Sequence, residues 1–131
     1  MTARPRNITV DCADPYRLAG FWSAVTGYGE DPDDPNAPSD LEAVLLGPDG
    51  QPNLLFIRVP EGKAVKNRVH LDLVPTDQTR DQEVARLVSL GATMVADHRR
   101  NDGSGWVVLA DPEGNEFCVE RSAQERATAQ Q

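Results

Sequence analysis

The spacing of apolar and polar residues along the chain switches twice from a strand pattern to a helix pattern. Residues 7–12 and residues 69–73 alternate between polar and apolar side chains. After each run, apolar residues recur every three or four positions, up to Gly27 in the first case and Gly91 in the second. A period of two is typical of a strand with one buried face, and a period near 3.6 is typical of an amphipathic helix. The pattern therefore predicts a strand followed by a helix in each half of the chain.

Each predicted helix has a start signal and an apolar stripe. Asp14 is the predicted N-cap of the first helix, with Pro15 at its first helical position, and Thr76 or Asp77 is the predicted N-cap of the second. The predicted core-facing stripes consist of Leu18, Phe21, Trp22 and Val25 in the first helix and of Val84, Leu87, Val88 and Leu90 in the second.

Each half ends in a predicted hairpin. Residues 44–59 and 107–121 both contain two apolar runs around a short turn. The turns GPDG (47–50) and DPEG (111–114) have Pro second and Gly fourth, as type I turns prefer. A weaker strand is expected within 28–46 in the first half and within 93–100 in the second. The predicted order is thus β-α-β-β-β in two modules, 6–60 and 67–122, joined by the polar linker 60–68.

Composition narrows the class of protein. The length of 131 residues, with 39% hydrophobic and 26% charged residues, is typical of one globular domain, expected over residues 1–125 with a polar tail at 123–131. No apolar run reaches the roughly 20 residues that span a bilayer, and no long apolar segment stands near residue 1, so we expect a cytoplasmic protein without a membrane partner. The net charge of −8, without a basic cluster, argues against nucleic-acid binding.

Polar side chains line one face of the first predicted strand of each module. His70 and Asp72 share this face in module two, and Asn7, Thr9 and Asp11 share it in module one. His70 has the chemistry of a ligand or a base near neutral pH, or of a hydrogen-bonded residue on a wet sheet face. Asp11 and Asp72 suit an acid–base pair or recognition of a polar ligand, and equally suit solvated carboxylates.

Three stretches resemble the glyoxalase-like branch of the vicinal oxygen chelate superfamily. They are VDCADPYRLAGFWSAVTGY (10–28), NRVHLDL (67–73) and GWVVLADPEGNEFCVE (105–120), and the resemblance extends over residues 7–121. The superfamily includes glyoxalase I, extradiol dioxygenases, and bleomycin- and fosfomycin-resistance proteins. The resemblance implies an α+β fold in which two paired βαβββ modules form a concave, mostly antiparallel sheet. It also implies a small-molecule ligand or substrate in a cup between the modules, a divalent metal in the enzymes, and homodimer formation.

The resemblance places the four usual metal-ligand positions on Asn7, Phe56, His70 and Cys118. The metal enzymes usually have His, Glu or Gln at these positions, and of the four only His70 is such a residue. Phe56 has no donor atom. Glu120 shares the face of Cys118 one strand step further along and is the alternative ligand. We therefore expect no intact metal centre of the usual kind, and expect His70 and Glu120 to hold any divalent metal that binds.

The expected function is binding of a small organic molecule in the cup, with Phe56 as an apolar floor in place of a metal. The other expected ligand-contacting residues are Asn7, Thr9, Arg58, Trp106, Cys118 and Glu120. The alternative is a metal-dependent lyase, isomerase or dioxygenase that uses His70 with Glu120 or Cys118. A third hypothesis is a cofactor-free enzyme in which His70, or an aspartate such as Asp72 or Asp11, is the catalytic base.

Overall fold

The computed structural model describes residues 1–129 and divides into two units, Met1–Lys63 (unit 1) and the chain from Ala64 onward (unit 2). Unit 1 contains β1 (Asn7–Cys12), α1 (Pro15–Thr26), β2 (Glu42–Leu45) and β3 (Asn53–Arg58). Unit 2 contains β4 (Asp72–Leu73), α2 (Arg80–Ser89), β5 (Thr93–Asp97), β6 (Trp106–Ala110), β7 (Glu116–Glu120) and α3 (Ala123–Ala129). The predicted α+β class is confirmed. None of the helices in the described residues is long and apolar enough to cross a membrane.

The sheet of unit 1 has the order β1-β3-β2, with β1 parallel and β2 antiparallel to β3. The predicted hairpin forms, but its turn closes one residue later than predicted, where the Gln51 N–H donates to the Pro48 carbonyl at 2.9 Å. Within 28–46, β2 belongs to the hairpin, and the separate weaker strand expected before it is reduced to a single bridge between Gly29 and Leu46. The Asp- and Pro-rich composition of that segment explains the difference, because these residues disfavour a ladder.

Helix α1 forms as the sequence predicts. The Asp14 side chain accepts a hydrogen bond from the Arg17 N–H, Pro15 occupies the first turn, and Gly27 ends the helix at φ 77°, a conformation that favours glycine. The predicted stripe faces β2 and β3, with Leu18, Phe21 and Trp22 buried and Val25 half-buried. Burial of each large side chain of this kind contributes about 1.5–3 kcal/mol.

The sheet of unit 2 has the order β4-β7-β6-β5, with β4 parallel to β7 and the other neighbours antiparallel. Its elements follow the full predicted order, including β5 within the expected range 93–100. The strand predicted at 69–73 is shorter, because only Asp72 and Leu73 join the ladder, and Val69 is 79% exposed. Just before it, the backbone N–H of Asn67 donates to the Glu116 carboxylate at 3.0 Å, a side-chain contact in place of a ladder bond.

Helix α2 begins later than predicted. Its N-cap is Thr79, not Thr76 or Asp77, because Thr79 and Gln82 form a reciprocal capping box. Of the four residues of its predicted stripe, Val84 and Leu87 are buried, whereas Val88 and Leu90 are exposed. The helix packs against β7, and that contact covers a narrower stripe than predicted.

Candidate functional site

One face of the unit 2 sheet carries polar and aromatic side chains that are available to a ligand. Paired residues in a ladder point to the same side, and Cys118 pairs with both Asp72 and Val108 while Trp106 pairs with Glu120. These five residues define what we call the site face of unit 2. The opposite face is core and consists of Val107, Leu109, Phe117 and Val119, each at most 1% exposed.

His70, Asp72 and Cys118 converge on the site face, and we call them the His–Asp–Cys cluster. The Nδ1 atom of His70 lies 3.4 Å from Asp72 Oδ1 and 3.9 Å from Cys118 Sγ. One ligand atom from each residue lies within 4.8 Å of the others. The side chains of His70 and Asp72 are exposed, whereas Cys118 is buried at 8% exposure. The cluster therefore has one buried sulfur beneath two solvent-accessible donors.

The surroundings of Cys118 keep its thiol protonated. Burial raises the pKa of Cys118, and the Asp72 carboxylate raises it further through its charge and a hydrogen bond. Glu120 acts in the same direction, while Lys66 opposes them. A raised pKa is the reverse of what activates a cysteine nucleophile, so thiolate attack is a poor use of this residue without an added cation.

The cluster fits a divalent metal of a particular class. Imidazole nitrogen, carboxylate oxygen and thiolate sulfur are the three donor types that bind Zn²⁺, and three protein ligands leave a position for substrate. Bond lengths of about 2.0–2.3 Å in a tetrahedral site imply donor separations of roughly 3.3–3.6 Å. The 3.4 Å between His70 and Asp72 matches this range, and the 3.9 Å from His70 to Cys118 exceeds it slightly. An oxygen-only set of the kind that Mg²⁺ prefers is not present in this cluster.

Glu120, the predicted partner of His70 in a metal pair, lies outside the cluster. Its Oε2 atom forms an ion pair with Arg126 of α3 at 3.4 Å, and its Cα partner is Trp106. Asp72 and Cys118 take the place beside His70. The sequence pattern predicts Asp72 on the face of His70 with a role in acid–base chemistry or ligand recognition, whereas the structure brings the two residues into one donor group with Cys118.

Trp106 stands at the edge of the site face. Its side chain is 37% exposed, its ring centroid lies 4.9 Å from that of His98, and the Arg100 guanidinium lies 5.7 Å from its centroid. His98 had no predicted role from the sequence. His98 and Arg100 pack against the indole and define its orientation. Trp106 is one of the residues predicted from the sequence to contact a ligand.

The loop before Trp106 is anchored by a buried arginine that sequence reasoning missed. Arg80, only 5% exposed, donates from Nη1 to the carbonyls of Gly103, Ser104 and Gly105 at 3.1–3.3 Å. Nothing in the local sequence marks Arg80, because an arginine in the first turn of a helix is ordinarily solvated. This anchor fixes the backbone of residues 101–105, although their sequence, NDGSG, is typical of a mobile loop.

A second arginine braces the start of the same loop. Arg99 forms ion pairs with Asp97 at 2.7 Å and with Asp81 of α2 at 2.9 Å. Hydrogen bonds from Arg99 lower the pKa of Asp97 to about 2 and also lower the pKa of Asp81. Both carboxylates are therefore ionised at neutral pH, and the brace persists until the pH falls well below the ordinary carboxyl range.

In unit 1 the corresponding face carries different chemistry. Asn7, Thr9 and Asp11 share one exposed face of β1, as predicted. Thr9 pairs with Leu55 and Asp11 pairs with Ile57, so half-buried aliphatic side chains lie beside these polar ones. Asn7 accepts a hydrogen bond from the Asn53 amide at 3.3 Å.

Phe56 and Arg58 face away from Asn7, Thr9 and Asp11, which corrects the prediction that Phe56 forms a pocket floor. Phe56 pairs with Val10, is 1% exposed and belongs to the core on the α1 side. Arg58 pairs with Cys12 and donates from Nε to the Ala13 carbonyl at 3.1 Å. By register Leu55, and not Phe56, is the counterpart of Cys118 when Thr9 is matched to Asp72.

Comparison with known families identifies the domain. Residues 7–120 match the model of the glyoxalase-like domain family. The chain belongs to this family. Membership of the vicinal oxygen chelate superfamily, which the sequence motifs predicted, is thereby confirmed. No curated protein matches the chain.

Several solved structures share the fold of this glyoxalase-like domain. The fosfomycin resistance protein FosX from Mesorhizobium loti has 18% identity and a TM-score of 0.67, covering 98% of this chain and 99% of that one. A mutant FosX from Listeria monocytogenes, complexed with Mn(II) and 1S,2S-dihydroxypropylphosphonic acid, has 16% identity and a TM-score of 0.68, covering 98% and 99%. A glyoxalase/bleomycin resistance protein/dioxygenase family enzyme from Burkholderia phytofirmans has 19% identity and a TM-score of 0.63, covering 87% and 94%. At these identities the similarity establishes the fold alone.

Proposed function

We propose that this glyoxalase-like domain binds a small organic molecule on the site face of unit 2, with the His–Asp–Cys cluster as the polar centre. The convergence of His70, Asp72 and Cys118 within 4.8 Å, with two of them exposed, is the observation that carries the proposal. Ligand sites combine apolar surface with a few convergent polar groups. The site face has both, since Val108 is half-buried beside Cys118 and the indole of Trp106 is exposed.

The spacing on the site face limits the size of the ligand. Trp106 belongs to the strand beside β7 and lies opposite Glu120, two residues beyond Cys118. Two residues advance a strand by roughly 6.5 Å. A ligand that contacts both Trp106 and the cluster therefore carries an oxygen-bearing group roughly 6.5 Å from a planar or apolar part.

Fragment screening by NMR tests this proposal. Fragments with vicinal oxygens, such as catechols and 1,2-diols, are added to ¹⁵N-labelled protein. We expect shifts at Cys118, Asp72 and the Trp106 indole N–H, and at least a tenfold loss of affinity in His70→Ala. His98→Ala, which changes the packing of Trp106 and leaves the cluster intact, should lose less affinity than His70→Ala. Fragments that bind His70→Ala as well as the natural chain would contradict the proposal.

A metal-dependent enzyme is the second candidate, and the donor chemistry of the cluster favours it. His70, Asp72 and Cys118 would hold the metal, which when bound would polarise ligand oxygens as a Lewis acid. Without the metal, Nδ1 of His70 has a different use, because its N–H can donate to Asp72 and leave Nε2 as a general base. The two uses of Nδ1 exclude one another. The ¹⁵N shifts of His70 with and without added Zn²⁺ distinguish them.

We further propose a homodimer in a reducing, cytoplasmic setting. Its support is the family resemblance for the dimer and, for the setting, the two buried cysteines, Cys12 and Cys118, neither of which forms a disulfide. Light scattering should give about twice the chain mass of 14.3 kDa. A mass equal to one chain across the micromolar range would contradict the dimer.

A further inference from the structure

We infer that the His–Asp–Cys cluster is a divalent-metal site that selects thiophilic ions, such as Zn²⁺ and Co²⁺, over Mg²⁺ and Mn²⁺. The inference deepens the proposed function and rests on the same three residues. It differs from the expectation that His70 and Glu120 hold any metal, and it names a ligand set with a single carboxylate and a sulfur.

The backbone brings the carboxylate and the sulfur together. Asp72 and Cys118 are direct partners in the parallel β4–β7 ladder, and the Cys118 N–H donates to the Leu71 carbonyl at 2.9 Å. Their side chains therefore point to the same side from adjacent strands. His70 stands two residues before Asp72 on the exposed segment that leads into β4 and completes the group. The 3.9 Å contact exceeds the spacing of ligands on one ion by a few tenths of an ångström, and all three donor atoms lie within 4.8 Å, so a bound ion would draw them closer together.

The charges of the cluster match a divalent ion. An Asp72 carboxylate and a Cys118 thiolate carry two negative charges, and neutral His70 adds none, so an M²⁺ ion would make the site neutral. The neighbouring cations offset this charge at the sulfur only in part. Lys66 is exposed, and Arg126 is engaged by Glu120. Binding of the ion would displace the thiol proton of Cys118, so the second negative charge arises together with the cation that neutralises it.

The buried sulfur determines which ions bind. Thiolate is a soft donor that favours Zn²⁺, Co²⁺ and similar ions, whereas Mg²⁺ and Mn²⁺ prefer oxygen ligands. The solved relative from Listeria is in complex with Mn(II). The residues present therefore favour a different metal from that of this relative.

Optical spectroscopy of the cobalt-loaded protein tests the inference without any activity assay. The reduced protein is freed of metal with a chelator and titrated with Co²⁺. We expect one equivalent to bind, with a thiolate-to-cobalt charge-transfer band in the near ultraviolet. One equivalent of Zn²⁺ should abolish the band, whereas a hundredfold excess of Mg²⁺ or Mn²⁺ should leave most of it.

Matched variants assign the ligands. Cys118→Ser should remove the charge-transfer band and Cys12→Ser should keep it. Asp72→Asn should weaken Co²⁺ binding at least tenfold, whereas Glu120→Gln should leave the affinity within twofold. Circular dichroism of each variant checks folding. A band that survives in Cys118→Ser, or that equimolar Mn²⁺ removes, would overturn the inference, as would unchanged binding in Asp72→Asn.

The same samples separate this inference from the proposed function. If no cobalt band forms but fragments still bind in a His70-dependent manner, the metal site is refuted and small-molecule binding stands. If the band forms and no fragment binds, the metal site stands and the proposed ligand class is refuted.

Discussion

Units 1 and 2 build the same parallel pair of strands and place different chemistry on it. In unit 1, Thr9 of β1 lies opposite Leu55 of β3, and in unit 2, Asp72 of β4 lies opposite Cys118 of β7. Both pairs join the first strand of the unit to its last strand. The strand pair is therefore repeated, whereas the facing carboxylate and sulfur belong to the Asp72–Cys118 pair of unit 2. The identity of one residue on each strand decides whether such a pair can bind a ligand.

The two units also differ in how far this ladder extends. The β1–β3 ladder runs over six residues, from Asn7 to Cys12, while the β4–β7 ladder holds only Asp72 and Leu73. His70 stands in the segment that has left the ladder. Backbone released from a ladder can adjust its side chains to a ligand, so the less regular unit is the better place for a site.

The helix starts give a third contrast. The first position of α1 is Pro15 and that of α2 is Arg80, and both side chains are buried. Pro15 presets the backbone for a helix. Arg80 instead extends to three carbonyls of the loop before Trp106. Unit 2 thus uses the equivalent position to fix a loop beside its site face.

The largest expected effect concerns the two faces of β3. Phe56→Ala should lower the free energy of unfolding by about 3–5 kcal/mol, because it empties a core position. Leu55→Ala, on the half-buried face, should cost about 1–2 kcal/mol. Urea denaturation measures both. Similar losses in the two variants would show that the register, and with it the contrast between Leu55 and Cys118, is wrong.

Arg80→Gln should destabilise the protein by about 2–3 kcal/mol, because the carbonyls of Gly103, Ser104 and Gly105 lose a buried, charged donor. Arg99→Gln removes exposed ion pairs of the same loop and should cost less than about 1 kcal/mol. Thermal unfolding and Trp106 fluorescence report the two effects. Equal and small losses would mean that the loop holds its position without Arg80.

The helix caps predict a smaller effect of equal size in both units. Asp14→Ala and Thr79→Ala should each cost about 1 kcal/mol. Thr76→Ala and Asp77→Ala, at the positions first expected to cap α2, should stay within about 0.5 kcal/mol. Chemical denaturation distinguishes these values. A larger loss of stability in Asp77→Ala than in Thr79→Ala would mean that α2 begins at Asp77, as first predicted.

The smallest expected effect is a shift in thiol reactivity. In metal-free protein the raised pKa of Cys118 means that its alkylation by iodoacetamide increases only at a pH above that of an ordinary thiol. Asp72→Asn removes a negative charge and should move the midpoint down, though not fully, because burial is the larger cause. Glu120→Gln should move it less. A midpoint below that of a free thiol would contradict this description of the cluster.

Local signals in the sequence predicted much of the fold. The site was harder to predict, because it depends on contacts between residues far apart in the sequence. The pair Asp14–Pro15 and the turn DPEG fix their elements through short-range geometry, and both formed where predicted. Alternation also placed His70 and Asp72 together. The face on which Phe56 lies depends on the register of β3, and a turn that is one residue longer or shorter moves Phe56 to the opposite face. Arg80 was missed because its partners lie 23 to 25 residues away and are backbone carbonyls, which no sequence pattern marks.

Anomalous diffraction at the zinc edge from crystals of the zinc-loaded protein tests the central claim most directly. We predict one strong peak in unit 2, bonded to His70 Nδ1, an Asp72 oxygen and Cys118 Sγ, with a zinc–sulfur distance of about 2.3 Å. A peak on Glu120 that excludes Asp72, a peak on the Asn7–Thr9–Asp11 face of unit 1, or crystals without a peak at the cluster would contradict it.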